Sequence, residues 1–385
     1  MIGFVFAIIL ILSVFIGTSY YISNRVYHGI ASFFPNVRFW PILTVFLIFA
    51  VIMTFGFGRS IVPLPDGMKH VFEVISAYYM GIFVYLLLFT LAADLIMLVP
   101  RLMKLSFTDY KYFKGFVTVG VLIFTCITCV YGFVNARQID YVSYEIRLQN
   151  KVDVSDLNLV MISDLHLGSV GSEERLDEIV NEINSLKPDV VCIAGDFFDT
   201  DYASIQNPEN AVKTLKGINS TFGVYACFGN HDAGKTVPQM VSFMEKANIC
   251  LLRDESVIID ERLVLVGRLD SSPIGGYGEE KRKEISEFLK EENSDLPVVV
   301  LDHNPSKIHT YTDEADLILC GHTHKGQLFP AGLITGAMYT VDYGYYQKDA
   351  QSPHVIVTSG IGYWGMPMRV GTNSEMVSIK ITGSK

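Results

Sequence analysis

The chain has 385 residues, 50% of them apolar, with 30 basic and 40 acidic side chains and a formal charge of −10. Its mean hydropathy of +0.33 is too high for an ordinary soluble protein. The acidic balance argues against a partner bound through its phosphate backbone.

The apolar excess is concentrated at the N-terminal end. Residues 2–22, 39–57, 74–93 and 115–134 each lack Asp, Glu, Lys and Arg, and each is near the roughly 20 residues that cross a bilayer. We therefore expect residues 1–136 to form an all-α anchor of four transmembrane helices, at about 2–22, 39–57, 74–99 and 115–134. No small-residue cleavage site follows Tyr21, so the first segment reads as a permanent span and not a signal peptide. Arg101, Lys104, Lys111 and Lys114 crowd the loop before the fourth segment. The positive-inside rule puts that loop in the cytoplasm and both termini outside, which makes a multi-pass cell-membrane protein with an extracytoplasmic C-terminal domain. Asp94 reads as an interfacial carboxylate, because the spans lack the paired charges and Gly/Pro breaks of a transporter. Cys126 and Cys129 form a C-x-x-C inside the fourth segment and read as packing residues.

Composition changes after Asn135. Eight basic and four acidic residues in 1–134 leave 22 basic and 36 acidic beyond it, so no nucleic-acid partner is expected. Val142, Tyr144, Ile146 and Leu148 alternate with polar residues as in a strand with one wet face, and a second domain spans 137–385. From Leu159 onward, strands alternate with helices. Ser172, followed by Glu173 and Glu174, reads as an N-cap, and Leu176, Ile179, Val180 and Ile183 form a helical stripe. Residues 237–247 and 279–290 read as further helices. Short strands at 256–259, 263–267, 354–359 and 375–381 suggest a second, partly antiparallel sheet packed on the first.

Five apolar runs end in residues of ligand type. Val160–Ser163 opens into Asp164 and His166, Val190–Ala194 into Gly195-Asp196, and Val224–Phe228 into Gly229-Asn230-His231-Asp232. Val298–Leu301 opens into Asp302-His303, and Leu317–Cys320 into Gly321-His322-Thr323-His324. Strand ends of an open α/β sheet converge on one rim, where ligands bind, so we expect one site built from five loops. Cys192, Cys227 and Cys320 lie inside these runs and read as small buried hydrophobes, not as parts of a disulfide framework.

A pair of divalent cations about 3.5–4 Å apart needs a shared carboxylate, further carboxylate or imidazole ligands and a bridging hydroxide. Asp196 is the candidate shared ligand. Asp164 and His166 can reach one ion, Asn230 and His303 the other, and His322 and His324 can reach different ions. Imidazole mixed with carboxylate, without thiolate, suits Mn, Fe, Zn or Ni. His231 is a candidate general acid or phosphate-facing residue, with Asp232 beside it to fix its orientation.

These five blocks resemble, in order, the signature of the calcineurin-like metallophosphoesterase superfamily: D-x-H at Asp164/His166, G-D-x-x-D at Gly195 to Asp199, G-N-H-D at Gly229 to Asp232, His303, and G-H-x-H at Gly321 to His324. The likeness covers 140–385, includes Gly360-Ile361-Gly362, and is strongest to the membrane-attached YkuE/YaeI-type branch. It implies an α/β fold of two packed β-sheets flanked by helices, preceded by the four-helix transmembrane region. It also implies one ion on Asp164, His166, Asp196 and His324, a second on Asp196, Asn230, His303 and His322, and a phosphate-facing His231. Lys325 replaces a glycine common in this branch, which would add a cation near the substrate.

The function so implied is a membrane-anchored di-metal phosphoesterase that attacks with a metal-bridging hydroxide. Its partners are the bilayer and a phosphoester substrate; the anchor points to a lipid-linked one, although an anchor also serves merely to localise an enzyme. The alternatives are a pyrophosphohydrolase of the UDP-diacylglucosamine type and a non-catalytic metal-binding interaction module. Gly360 to Gly365 fits the dinucleotide fingerprint, but Pro367 follows and no helix does. Asp199 and Asp270 are candidate outer supports, and His309 and His354 fall outside the motifs. The apolar stretch from Ala331 to Tyr346 follows the last ligands, and either holds a lipid chain or packs on the second sheet.

Overall fold

The computed structural model describes residues 2–57, 65–103, 112–148, 157–287, 296–311 and 314–383. The chain forms two compact units, residues 1–134 and 135–385.

The first unit is built from helices α1 (Ile2–Phe33), α2 (Phe39–Phe57), α3 (Asp66–Leu102) and α4 (Phe113–Asn135). Among the described residues three of them, not four, are long and apolar enough to cross a membrane, at Phe39–Gly56, Gly67–Val99 and Phe113–Asn135. The expected first span falls on α1, whose side chains up to residue 11 lie outside the described residues. Of the basic loop used to orient the chain, residues 104–111 also lie outside them. The unit is apolar on the outside: Leu95, Ile96, Phe116 and Phe124 are all exposed, while Ile22, Phe83 and Leu86 are buried. In lipid such helices are held by close packing and buried hydrogen bonds, since water no longer drives them together. Phe49 stacks on Tyr79 with ring centroids 4.4 Å apart. Asp94 takes both the Arg25 guanidinium and the Tyr21 hydroxyl, each at 2.7 Å.

Among the described residues the second unit contains two six-stranded sheets. The first runs β1 (Ile139–Leu148), β12 (Ser374–Gly383), β2 (Leu157–Ile162), β3 (Val190–Ala194), β4 (Val224–Cys227), β5 (Ile249–Leu251). The second runs β10 (Gly344–Tyr346), β11 (His354–Val357), β9 (Leu317–Cys320), β8 (Val298–Leu301), β7 (Leu263–Gly267), β6 (Glu255–Ile259). The five ligand-bearing strands therefore belong to two sheets. β2, β3 and β4 are parallel neighbours in the first, and β8 and β9 are parallel neighbours in the second. The segment expected at 375–381 in the second sheet instead lies in the first as β12, parallel to β1 and antiparallel to β2.

Alternation explains why the sheets stack. Leu159 and Met161 of β2, and Cys192 and Ala194 of β3, meet Leu265, Val299, Leu301 and Leu319 of the second sheet in a buried layer. Their neighbours Val160, Ile162, Val191 and Ile193 turn to the other face. There they bury α5 (Leu176–Ser185), α6 (Pro208–Leu215) and α7 (Val237–Lys246). Strands with both faces covered read as unbroken apolar runs, which is why these five were visible. The stripe on α5 is buried as expected. Ser172 does not cap that helix, because a 3-10 turn at Glu173–Arg175 intervenes; its Oγ accepts from the Gly168 amide and donates to the Ser169 carbonyl. Of the helix expected at 279–290, the described part holds a 3-10 turn at Ile285–Glu287, and 288–295 lie outside the described residues. Cys192, Cys227 and Cys320 are buried, unpaired thiols.

Candidate metal centre

Each candidate ligand sits just past the end of a strand, where the chain turns. Asp164, His166, Asp196, His322 and His324 all have positive φ, between 47° and 74°. Such backbone is uncommon outside glycine and costs on the order of 1–3 kcal/mol per residue, so the surroundings must enforce it. Part of that enforcement is visible. The Asp164 amide donates to the Gly195 carbonyl and the His166 amide to the Asp196 carbonyl, at 2.9 and 3.0 Å. Gly195 has φ 77°, and a Cβ there would meet the His303 ring at 2.7 Å, so that loop tolerates nothing larger.

The turns bring seven side chains together from five loops. Asp164, His166 and His324 form one buried group, and Asp196, His303 and His322 a second, with candidate ligand atoms within 4.8 Å of one another in each. Asp196 stands between them: its Oδ2 is 3.2 Å from His303 Nε2 and 3.8 Å from His166 Nε2. Its other oxygen accepts the His231 amide at 2.8 Å. Asn230 Oδ1 lies 2.8 Å from His322 Nδ1, which puts Asn230 in the second group.

The chemistry of these donors fits a cation. His166 Nε2 and His324 Nε2 face each other at 3.1 Å in a buried space. His303 Nδ1 meets the Ala194 carbonyl at 2.8 Å, which leaves the buried Nε2 to face the Asp196 carboxylate at the centre, 3.2 Å away. Burial, then the charge of His303, moves the His322 pKa down to about 4, and burial likewise holds His324 well below its ordinary value. Both imidazoles are therefore neutral at neutral pH, the form that binds a metal. Burial alone would raise Asp196, but the His303 charge and hydrogen bond hold it below the carboxylate range. A buried acceptor surrounded by imidazole nitrogens is a site for a divalent ion.

The supporting residues differ from the sequence reading. Asp232 does not reach His231. Both of its oxygens accept backbone amides, from Phe197 at 3.1 Å, Phe198 at 2.7 Å and Gly229 at 2.7 Å, so it ties the β3 loop to the β4 loop. His231 Nδ1 meets Thr200 Oγ1 instead, at 2.5 Å. Asp199 reaches His166 Nδ1 at 3.4 Å and so backs a ligand. Asp270 is buried, accepts the Ser272 amide, and is pushed up to about 6 by burial. Lys325 turns away, with its ammonium 3.9 Å from the centroid of the Tyr343 ring.

Two arginines were not singled out by the sequence. Arg369 is fully buried; its guanidinium donates to the carbonyls of Ser359, Gly360 and Gly362 and lies 3.3 Å from His324 Nδ1. Arg282 clasps Asp302 through both nitrogens, at 2.9 and 2.6 Å, and so fixes the loop that carries His303. Neither belongs to a local motif, and each finds its partner across many residues. The stretch from Gly360 to Gly365 forms no helix, and Arg369 holds it against His324.

A cleft of about 320 Å³ opens over the centre. His231, Asn230, His166, Asp196, His322 and His324 line it together with Ala331, Ile334 and Trp364. Ile334 belongs to α8 (Ala331–Met338), on which Leu333, Ile334 and Met338 are all exposed. The apolar stretch thus divides: Ala331–Met338 is a helix at the rim of the cleft, while Gly344–Tyr346 is β10 of the second sheet, with Val341 and Tyr346 packed on that sheet.

Residues 157–326 match the family described as calcineurin-like phosphoesterase. The chain is 30% identical over 241 residues to a metallophosphoesterase of Aquifex aeolicus, covering 62% of this chain and 90% of the relative. It is 29% identical over 337 residues to a transmembrane protein with metallophosphoesterase domain of Danio rerio, covering 82% and 75%. It is 24% identical over 267 residues to a UDP-2,3-diacylglucosamine pyrophosphatase of Chlamydia trachomatis, covering 54% and 78%.

Proposed function

Because this chain belongs to the calcineurin-like phosphoesterase family, we propose that it is a membrane-bound phosphoester hydrolase that works with two divalent ions on a lipid-linked substrate. That it is a metal-dependent phosphoesterase follows from the family. The pair of ions, the substrate and the residue roles are our reading. The observation that carries it is the position of the Asp196 carboxylate between two buried donor groups. One ion would rest on Asp164, His166, Asp196 and His324, and the other on Asp196, Asn230, His303 and His322. Mn, Fe, Zn and Ni all suit these donors. When bound, such ions supply Lewis acidity to a phosphoryl group and lower the pKa of water toward neutrality.

The protein's own groups account for the rest. With Nδ1 engaged by Thr200, His231 keeps Nε2 for a phosphoryl or leaving oxygen, as a general acid or a charge-stabilising donor. The amide of His231 is fixed on Asp196, so its placement is coupled to the centre. Ala331, Ile334 and Trp364 give the cleft an apolar wall, and the exposed side chains of α8 extend it. A phosphate carrying an acyl or prenyl chain matches such a surface better than a free nucleotide does. The Chlamydia relative supports a second reading, in which the scissile bond is the pyrophosphate of a nucleotide-sugar lipid. The density of basic residues around Lys114 supports an extracytoplasmic position for the catalytic unit.

The test is full-length protein in detergent, loaded with Mn and assayed on aryl phosphomonoesters, aryl phosphodiesters and lipid phosphoesters of increasing chain length. Turnover that rises with chain length, and falls on Leu333→Glu while aryl turnover holds, supports the reading. Equal turnover at every chain length refutes the lipid-linked substrate, and no turnover of any ester with two ions bound refutes the hydrolase.

A further inference from the structure

The first unit contains a polar cavity that a simple anchor does not require. It has a volume of about 390 Å³ and lies between α1, α3 and α4. Its lining carries Arg25 and His28 from α1 and Lys114 from the first turn of α4, against the single carboxylate of Asp94. Met97, Val117 and Val121 add apolar lining. Gly29 of α1 lies against Thr118 of α4, with no room between them for a Cβ.

The charges in this cavity are only partly used. Asp94 is committed to Arg25 and Tyr21. The guanidinium is thereby held over the Tyr21 ring, 5.5 Å from its centroid, while its Nε is buried and makes no hydrogen bond among the described residues. Among those residues, no hydrogen bond or ion pair engages the His28 or Lys114 side chain. Three basic side chains against one acid leave the lining with more base than acid, beside apolar surface. All of them lie where α1 and α3 end and α4 begins, the depth at which one leaflet keeps its headgroups.

We propose that this cavity binds one anionic phospholipid, with its phosphate between Arg25, His28 and Lys114 and an acyl chain along Met97, Val117 and Val121. Charge complementarity selects this occupant. A zwitterionic lipid would bring a choline or ethanolamine cation against the same groups, and a free phosphate would leave the apolar lining empty. The proposal is independent of the metal centre.

The experiment uses delipidated full-length protein in detergent with a chelator present, so that no lipid is hydrolysed. Thermal unfolding is followed while short-chain phosphatidylglycerol, phosphatidylcholine or inorganic phosphate is titrated. Phosphatidylglycerol should bind about five-fold more tightly than phosphatidylcholine for each basic group engaged, and phosphate alone should not shift the transition. Lys114→Gln and His28→Gln, singly and together, should reduce the preference stepwise while Mn-loaded aryl phosphate turnover stays unchanged. Both side chains are exposed, so these variants should fold. Equal affinity for the two lipids, an undiminished preference in the double variant, or equal stabilisation by phosphate alone would overturn the proposal.

Discussion

The two units treat charge in opposite ways. In the helical unit charged groups are few, lie near helix ends, and the one acid in the cavity is neutralised by Arg25. In the C-terminal unit Asp164, His166, Asp196 and His303 are buried together, and several of their backbones are left-handed. Regular helices need only local rules and a low-dielectric surround. A buried group of carboxylates and imidazoles on strained turns needs something to hold it, and a pair of cations is what these donors suit.

If that contrast is correct, damage should be severe at the centre and mild in the helices. Asp196→Asn should reduce kcat/KM by more than the roughly hundredfold typical of losing an outer partner of a metal ligand, because both donor groups lose their common carboxylate. Steady-state kinetics with metal content measured in parallel would show it, and near-normal kinetics would remove Asp196 from the centre. Chelation should abolish turnover, lower the thermal midpoint of the second unit, and be reversed by added divalent metal. A chelated protein with unchanged melting would mean that the strained turns stand without the ions.

Next in size, Arg369→Gln should reduce activity about ten- to hundredfold through His324. Leu319→Ala, in the layer between the sheets, should destabilise by about 2–5 kcal/mol in denaturant unfolding while the ligands stay in place. The smallest effect belongs to the other unit. Tyr21→Phe removes one hydrogen bond to Asp94 and should cost only about 0.6 kcal/mol, the average for such bonds between membrane helices. A Tyr21 effect rivalling that of Leu319 would erase the contrast between the units.

The difference also marks what could be read from sequence. That the seven candidate ligands would meet was legible because each lies within a few residues of a buried strand end, and apolar runs closed by Gly, Asp or His are local signals. The α5 stripe was legible for the same reason. Membership of one sheet or the other was not, because β8 and β9 have the same apolar pattern as β2 and β3, and pairing partners leave no trace in periodicity. Asp232 was misread because adjacency to His231 suggests contact, whereas the turn swings its carboxylate toward three backbone amides. Arg369 and Thr200 act across gaps of 45 and 31 residues, where no motif points to them.

The position of β12 has a consequence for biosynthesis. β12 is the last strand the ribosome makes among those described, yet it lies between β1 and β2. Until translation reaches Ser374–Gly383, β1 has no hydrogen-bonded neighbour and β2 exposes an unpaired flank. The nascent chain must therefore carry an open sheet until Ser374–Gly383 emerges, and loss of that segment would leave the flank free to recruit strands from other polypeptides.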